Sequence, residues 1–433
     1  MIQPIELLAP VGGKEQLHAA VRFGANAVYG GMKDYGLRAF AGNFDNDALK
    51  ESVAFAHDHD VRFYVTMNIL PTDADMPGFL EAAKMALKAG VDAAIVSDLG
   101  AAVLLHEQLP ELALHISTQA NVLNSASALH LHKAVGAQRI VLARELSLEQ
   151  IAAMREKLPP QLQLEAFVHG AMCVAYSGRC LLSNALTGRN ANHGTCAQPC
   201  RWQYALAEQK RPNEYMPICE DGRGTYLYSA YDLCMLPHLP KLLRAGVLSL
   251  KIEGRMKTAY YVATVVSAYR QALDILSSQG EQAFEEAVPA LLHELDKASH
   301  RISNTGFYFG APTPPAGAQG FTQSMQYVGD IVESADANTP ALIALKNRFF
   351  VGDTLEALTP QGSKPFVVND LRLAETNESV QTASVAGTLL RMTFPFAVGA
   401  GDLLRGPNRN QSSRPLPQGA KTEFLQTTPC ALS

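Results

Sequence analysis

Tryptophan occurs once in the 433 residues, and neither charge sign dominates: 36 Lys and Arg stand against 41 Asp and Glu, a formal net charge of −5. Without a basic excess the chain shows no overall charge signature of nucleic-acid binding, although a local basic patch can sit inside an acidic total. No apolar run approaches the roughly 20 residues that a membrane span needs, so no membrane role is expected. The first residues, Met1 to Glu6, lack a basic segment followed by an apolar one. The expected location is therefore the cytoplasm. Three catalytic fingerprints are missing as well. There is no Gly-x-Gly-x-x-Gly, and no Gly-x-Ser-x-Gly elbow. There is no His-Glu-x-x-His either, since His106-Glu107 and His293-Glu294 lack the second histidine. The seven cysteines are an odd number in a chain expected in a reducing compartment, which argues against a disulfide framework.

What is present begins with a rhythm. Short apolar runs alternate with segments of helical period: Glu6–Pro10, Ala27–Gly31, Arg62–Asn68, Ala93–Asp98, Leu114–Gln119, Arg139–Glu145, Leu164–His169 and Leu248–Arg255. Near-continuous hydrophobic runs are what buried parallel strands look like. Eight of them separated by helices predict a TIM-like (β/α)8 barrel, an α/β fold, over residues 1–310. A doubly wound sheet is the runner-up. Several runs end in polar residues, among them Asn68, Asp98, Gln119, Arg144, His169, Glu253 and Arg255. In a barrel those ends converge on the face where active sites lie.

One connection is abnormally long. About 80 residues separate His169 from Leu248, placing an insertion (about 170–240) after strand 7, on the catalytic face. Beyond residue 310 the texture changes. Thr313–Gly320 reads as a linker, and short alternating strands over 322–410 predict a small all-β barrel domain. Residues 411–433, rich in Pro, Ser, Thr and Gln, are expected to be a flexible tail.

Four cysteines, Cys173, Cys180, Cys196 and Cys200, fall within 28 residues of the insertion. Thiolates bind soft metals and iron–sulfur clusters, and four are the usual complement of a [4Fe–4S] cluster. Structural zinc is the main rival, although its usual signature is two close Cys-x2–4-Cys pairs and the first spacing here is wider. Cys219 and Cys234 lie in the same insertion, and Cys219 is the most plausible substitute ligand.

At these cysteines the chain resembles the collagenase-like peptidase family. The likeness rests on Glu165–Cys180, Asn192–Trp202, Lys251–Arg255, Ser117–Asn121 and Leu142–Ser147. Despite the family's name, the resemblance implies iron–sulfur proteins that support hydroxylation of RNA bases or of ubiquinone precursors. Leu345–Gly362 and Arg211–Asp221 are similar to the tRNA-modifying branch. That likeness implies 5-hydroxylation of the wobble uridine, with tRNA as partner and prephenate as the metabolite required; a protein partner or electron donor is expected besides, since the cluster either binds a substrate or passes electrons.

In such a site Lys251, Arg144 and Arg255 are expected to neutralise the carboxylates of a small anion, and His169 and Glu253 to transfer protons. Internal ion pairing among Arg255, Glu253 and Glu145, and a histidine that merely ends a strand, are the plainer readings. Arg179, Arg189, Arg201 and Trp202 are candidates for phosphate and base contact, with a core role for Trp202 as the alternative. A cysteine protease with His169 or His193 as base is conceivable, but it leaves the clustering of four cysteines unexplained.

Overall fold

The computed structural model describes residues 5–33, 35–36, 42–173, 176–177, 179–201, 206–208, 211–216, 220–221, 224–225, 231–310 and 321–409. Eight parallel strands close into a barrel: β1 (Glu6–Pro10), β2 (Ala27–Gly31), β3 (Arg62–Met67), β4 (Ala93–Val96), β5 (Leu114–Ile116), β6 (Arg139–Val141), β7 (Gln163–Ala171) and β8 (Ser249–Ile252). Closure comes from β8, which pairs with both β1 and β7. This is the expected TIM-like fold.

Helices follow most strands and cover the barrel: α1 (Lys14–Arg22), α2 (Asn46–His57), α3 (Met76–Lys88), α4 (Leu99–Gln108), α5 (Ser125–Val135) and α6 (Leu148–Arg155). Their starts are fixed locally. Asp45, Asp98, Asn124 and Ser147 each cap a helix by accepting a backbone N–H with the side chain. Such a cap contributes about 1 kcal/mol and sets where the βα loop stops.

The insertion after β7 carries a short helix, α7 (Leu182–Thr187), and a strand, Asp232–Cys234, that runs antiparallel beside β7. That wall strand was not legible in the sequence. It is anchored by Asp232, which takes bonds from the Arg301 guanidinium at 2.7 and 3.0 Å. After α8 (Leu239–Arg244) and β8 come two long helices, α9 (Ala259–Gln279) and α10 (Glu281–Leu295). Among the described residues no helix is long and apolar enough to cross a membrane.

The C-terminal domain is all-β, as expected. Its main sheet is antiparallel and seven-stranded: β9 (Met325–Ile331), β10 (Pro340–Leu345), β11 (Thr354–Thr359), β12 (Gly362–Val367), β13 (Arg372–Leu373), β14 (Leu389–Thr393) and β15 (Leu403–Pro407). Their spatial order is β12-β11-β15-β9-β10-β14-β13. Leu358 and Leu403 pack into the barrel's own hydrophobic core, and Tyr327 stacks on Tyr260 of α9 at 5.7 Å. Arg405, fully buried at this joint, forms ion pairs with Glu294 of the barrel at 2.5 Å and Glu356 of its own domain at 2.7 Å. The expected linker, residues 313–320, and the tail, residues 411–433, lie outside the described residues.

Candidate active site

The interior of this barrel is charged where barrels of this kind are usually filled by branched apolar side chains. Strand register explains which charges meet. Glu6 pairs level with Ser249, and Ser249 with Glu165. Arg139 enters from β6 and donates to Glu6 at 2.5 Å, to Glu165 at 3.0 Å and to Gln163 at 2.7 Å. Glu165 in turn accepts from Lys251 at 2.7 Å. Burial alone would raise the Glu6 carboxyl, but the Arg139 guanidinium beside it holds it below the ordinary value. His115 stacks edge-on against Tyr64 at 4.7 Å, and burial keeps it well below the usual histidine range.

Above this charged layer lies the mouth, where a cavity of about 190 Å³ separates the strand ends from the insertion. Cys173, Cys180, Cys196 and Cys200 all line it, together with Arg144, Lys251, Glu253 and Arg255. None of the four cysteines is in a disulfide. Cys196 Sγ accepts the Gln198 N–H at 3.4 Å, the kind of bond that stabilises a thiolate ligand. As placed, no three His, Cys, Asp or Glu side chains among the described residues are grouped tightly enough for a single metal ion.

The insertion is tied down to the barrel. Asn121 donates to the Ser177 carbonyl at 2.9 Å from a left-handed backbone position, φ 55°, which asparagine tolerates well. Leu70 N–H donates to the Asn192 carbonyl at 3.3 Å. Inside the insertion, Ser183 Oγ bridges the Arg189 carbonyl and the Ala197 N–H. Asn121 of the Ser117–Asn121 motif thus ties Ser177, between Cys173 and Cys180, to the barrel.

Each cation is held differently. Lys251 is 4% exposed, with Nζ 4.3 Å from the Tyr29 ring centroid and 5.5 Å from that of Phe167. Its burial lowers its pKa while Glu165 opposes the shift. Arg144 lies over Phe167 at 3.8 Å and donates to the Ala171 carbonyl at 2.9 Å. Its buried Nε has no hydrogen-bond partner among the described residues. Arg255 donates to Thr66 Oγ1 at 2.8 Å and Asn43 Oδ1 at 2.7 Å. Glu253 Oε2 stands 3.9 Å from Arg144. The close approach of the two last strands depends on Gly170, φ 104°, since a Cβ there would meet the Glu253 carbonyl oxygen at 2.3 Å.

His169 is not brought to this cavity. It is buried under α9 between Tyr261 and Tyr269, with ring centroids 6.1 and 5.6 Å away. A bulge in the β7–β8 pairing, between Lys251 and Ile252, shifts the register at this residue. Burial pushes its pKa down to about 4, so it is neutral at physiological pH. Its expected place close to the cysteine cluster is thus corrected: its backbone carbonyl does accept the Glu253 N–H at 2.8 Å, while its ring packs against α9.

Arg179 and Arg189 are exposed on the insertion, and Tyr176 and Leu181 beside them are 47% and 70% exposed. Trp202 and Cys219 lie outside the described residues, as does most of the run Trp202–Arg211. Reading the sequence for strand ends missed the buried layer of Glu6, Arg139 and Glu165. Its signal is present nonetheless, as charged residues set into apolar strand runs.

Two family models match: peptidase family U32 over residues 12–316, and the peptidase family U32 C-terminal domain over residues 323–405. The chain is 35% identical to tRNA hydroxylation protein P of Escherichia coli K12 over 418 residues, covering 87% of this chain and 90% of that protein. It is 37% identical to tRNA hydroxylation protein P1 of Bacillus subtilis 168 over 359 residues, covering 82% and 84%. A 23S rRNA 5-hydroxycytidine synthase of E. coli K12 is 34% identical over 380 residues, covering 86% of this chain but 55% of that protein. With a barrel and a C-terminal domain that both match their models, this chain belongs to peptidase family U32.

Proposed function

We propose that this protein hydroxylates RNA, and specifically C5 of the wobble uridine in tRNA. Cys173, Cys180, Cys196 and Cys200 would hold a [4Fe–4S] cluster, and prephenate or a related small carboxylate would occupy the cavity beneath. The observation that carries this reading is the convergence of four cysteines outside any disulfide, three cations and one carboxylate on one cavity at the barrel mouth. The donor set fits the group: four soft sulfurs, one already accepting a backbone N–H. A four-iron cluster holds its thiolates farther apart than one ion does, so a loose arrangement of the four is compatible with it. When bound, it supplies the redox-active centre that oxidation of a C–H bond to C–OH requires and that protein side chains lack.

The chain's own residues bind and orient. Arg144, stacked on Phe167 and with an Nε that has no acceptor among the described residues, is suited to a carboxylate. Arg255, fixed by Thr66 and Asn43, adds a second positive charge at the rim. Glu253 is the group placed to hold a proton at the cavity, with Arg144 as its neighbour. Tyr176 and Leu181 offer exposed faces on which a base can stack, and Arg179 a charge for phosphate. An electron donor, either a protein or a small molecule, completes the set of partners.

A tRNA substrate is favoured over rRNA because the chain spans nine-tenths of the E. coli tRNA hydroxylation protein and about half of the rRNA synthase. A peptidase reading finds less support. No histidine lines the cavity among the described residues, so a cysteine nucleophile there has no imidazole base at hand. The test is nucleoside mass spectrometry of tRNA and 23S rRNA from a deletion strain. Loss of 5-hydroxyuridine derivatives from tRNA with rRNA unchanged is expected. Intact tRNA nucleosides, in a strain without a redundant pathway, would refute the assignment.

A further inference from the structure

The three cations of the cavity are not chemically equivalent. Arg144 and Arg255 are permanent charges. Lys251 carries an amine, which on losing a proton becomes a nucleophile toward carbonyl carbon. Its surroundings suit that change. Nζ sits 2.7 Å from Glu165 Oε1, a carboxylate able to take the proton. The side chain is almost wholly buried yet lines the cavity. The Tyr29 and Phe167 rings that face it favour a cation of either kind, an ammonium or a protonated imine. Arg144 lines the same cavity, and its buried Nε has no hydrogen-bond partner among the described residues.

We propose that Lys251 forms an imine with a small 2-oxo acid whose carboxylate is held by Arg144. The Lys251 ammonium passes a proton to Glu165, and the free amine adds to the C2 carbonyl carbon, forming the C–N bond. The former carbonyl oxygen leaves as water with two protons from the nitrogen, one of them by way of Glu165. A protonated imine remains beside the regenerated carboxylate. No oxidant or reductant is consumed. The barrel's lower layer has a purpose in this scheme: Arg139 and Ser249 hold Glu165 in place from the other side, at 3.0 and 3.2 Å.

The inference rests on the reading of the cavity as a small-carboxylate site and is independent of which RNA is modified. The test incubates the purified full-length protein with pyruvate or phenylpyruvate and sodium cyanoborohydride, which reduces an imine to a stable amine, followed by peptide mass mapping. The expected result is one adduct per chain, on Lys251. It should form before surface lysines are labelled, since burial lowers the amine's pKa. Acetone, a ketone without a carboxylate, should react slowly, and Arg144→Gln should slow pyruvate but not acetone. Lys251→Arg should abolish the adduct. Because that change disturbs a buried pair, the wild-type peptide map carries the decision. Adducts spread over surface lysines would overturn the proposal. Calorimetric binding of pyruvate without a Lys251 adduct would remove the imine and leave the carboxylate site. Absence of both binding and adduct would remove the imine and the carboxylate reading together.

Discussion

Replacing Arg139 with lysine keeps the charge and removes the fork, which separates two things the barrel's charged layer does. The guanidinium makes six contacts: two to Gln163, two to Glu6, one to Glu165 and one to Ser249. A lysine has three donors at a single point and cannot reach all of these acceptors. Leaving one or two of them buried without a partner costs about 2–4 kcal/mol. Arg139→Met removes the charge too and leaves Glu6 with only Arg62, at 2.8 Å, and Glu165 with only Lys251, at 2.7 Å, as counter-charges. Breaking a buried pair in this way costs about 3–5 kcal/mol. Urea denaturation at pH 7.5 measures both, with an unchanged slope expected.

The pH dependence gives a second signature. In the wild type Glu6 has a depressed pKa, so its stabilising contribution is present above the unfolded carboxyl value and lost as pH falls through the folded one. In Arg139→Met the strongest influence lowering the Glu6 pKa is gone, so the folded value rises, against Arg62 and the Tyr64 hydroxyl alone, and the penalty relative to wild type shrinks as pH falls from 7 to 4. A loss under about 1 kcal/mol in both variants, or a methionine penalty that does not change with pH, would refute the account of this layer as a mutually compensating network.

Gly170→Ala should destabilise by about 2 kcal/mol or more, because the new Cβ meets the Glu253 carbonyl and the backbone is left-handed there. Thermal melting together with loss of modification would register the displaced Glu253. His169, held neutral down to about pH 4 by burial, should contribute stability above the ordinary histidine value of 6.5 that is lost as pH falls toward 4. A shift of that size is worth about 3 kcal/mol at the acid end, so His169→Phe should flatten the acid limb of the stability curve. The same variant should leave the pH profile of activity between 6 and 8 unmoved, and a shifted profile would return His169 to the chemistry. Asn121→Ala should loosen the Ser177 loop, seen as faster alkylation of Cys173 and Cys180 in the metal-free protein. Equal rates would show that Asn121 does not position that loop.

Much of this molecule is legible in its sequence because buried parallel strands advertise themselves. The runs at Ala27–Gly31 and Ala93–Val96 are fully buried and were readable as such. The long interval after β7 likewise marked the insertion that reaches the cavity. Two features were not legible, for different reasons. The strand Asp232–Cys234 is three residues long and is secured by Arg301, some 70 positions away, so no local pattern announces it. The outward turn of His169 depends on a one-residue bulge in the β7–β8 pairing, which shifts the register at that residue. Lys251 shows the intermediate case. Its position in a strand was clear, whereas its pairing with Glu165 came from the register between strands 84 residues apart in sequence.

The central claim is that the four cysteines and the cations beneath them form one site for tRNA hydroxylation. The most direct measurement is complementation of a deletion strain with wild type, Cys173→Ala, Cys196→Ala and Arg144→Gln, reading tRNA nucleosides by mass spectrometry and iron and sulfide in the purified proteins. Wild type should restore 5-hydroxyuridine derivatives. Both cysteine variants should lose modification along with iron and sulfide, and Arg144→Gln should lose modification while keeping them. Full restoration by either cysteine variant, or by Arg144→Gln, would contradict the account.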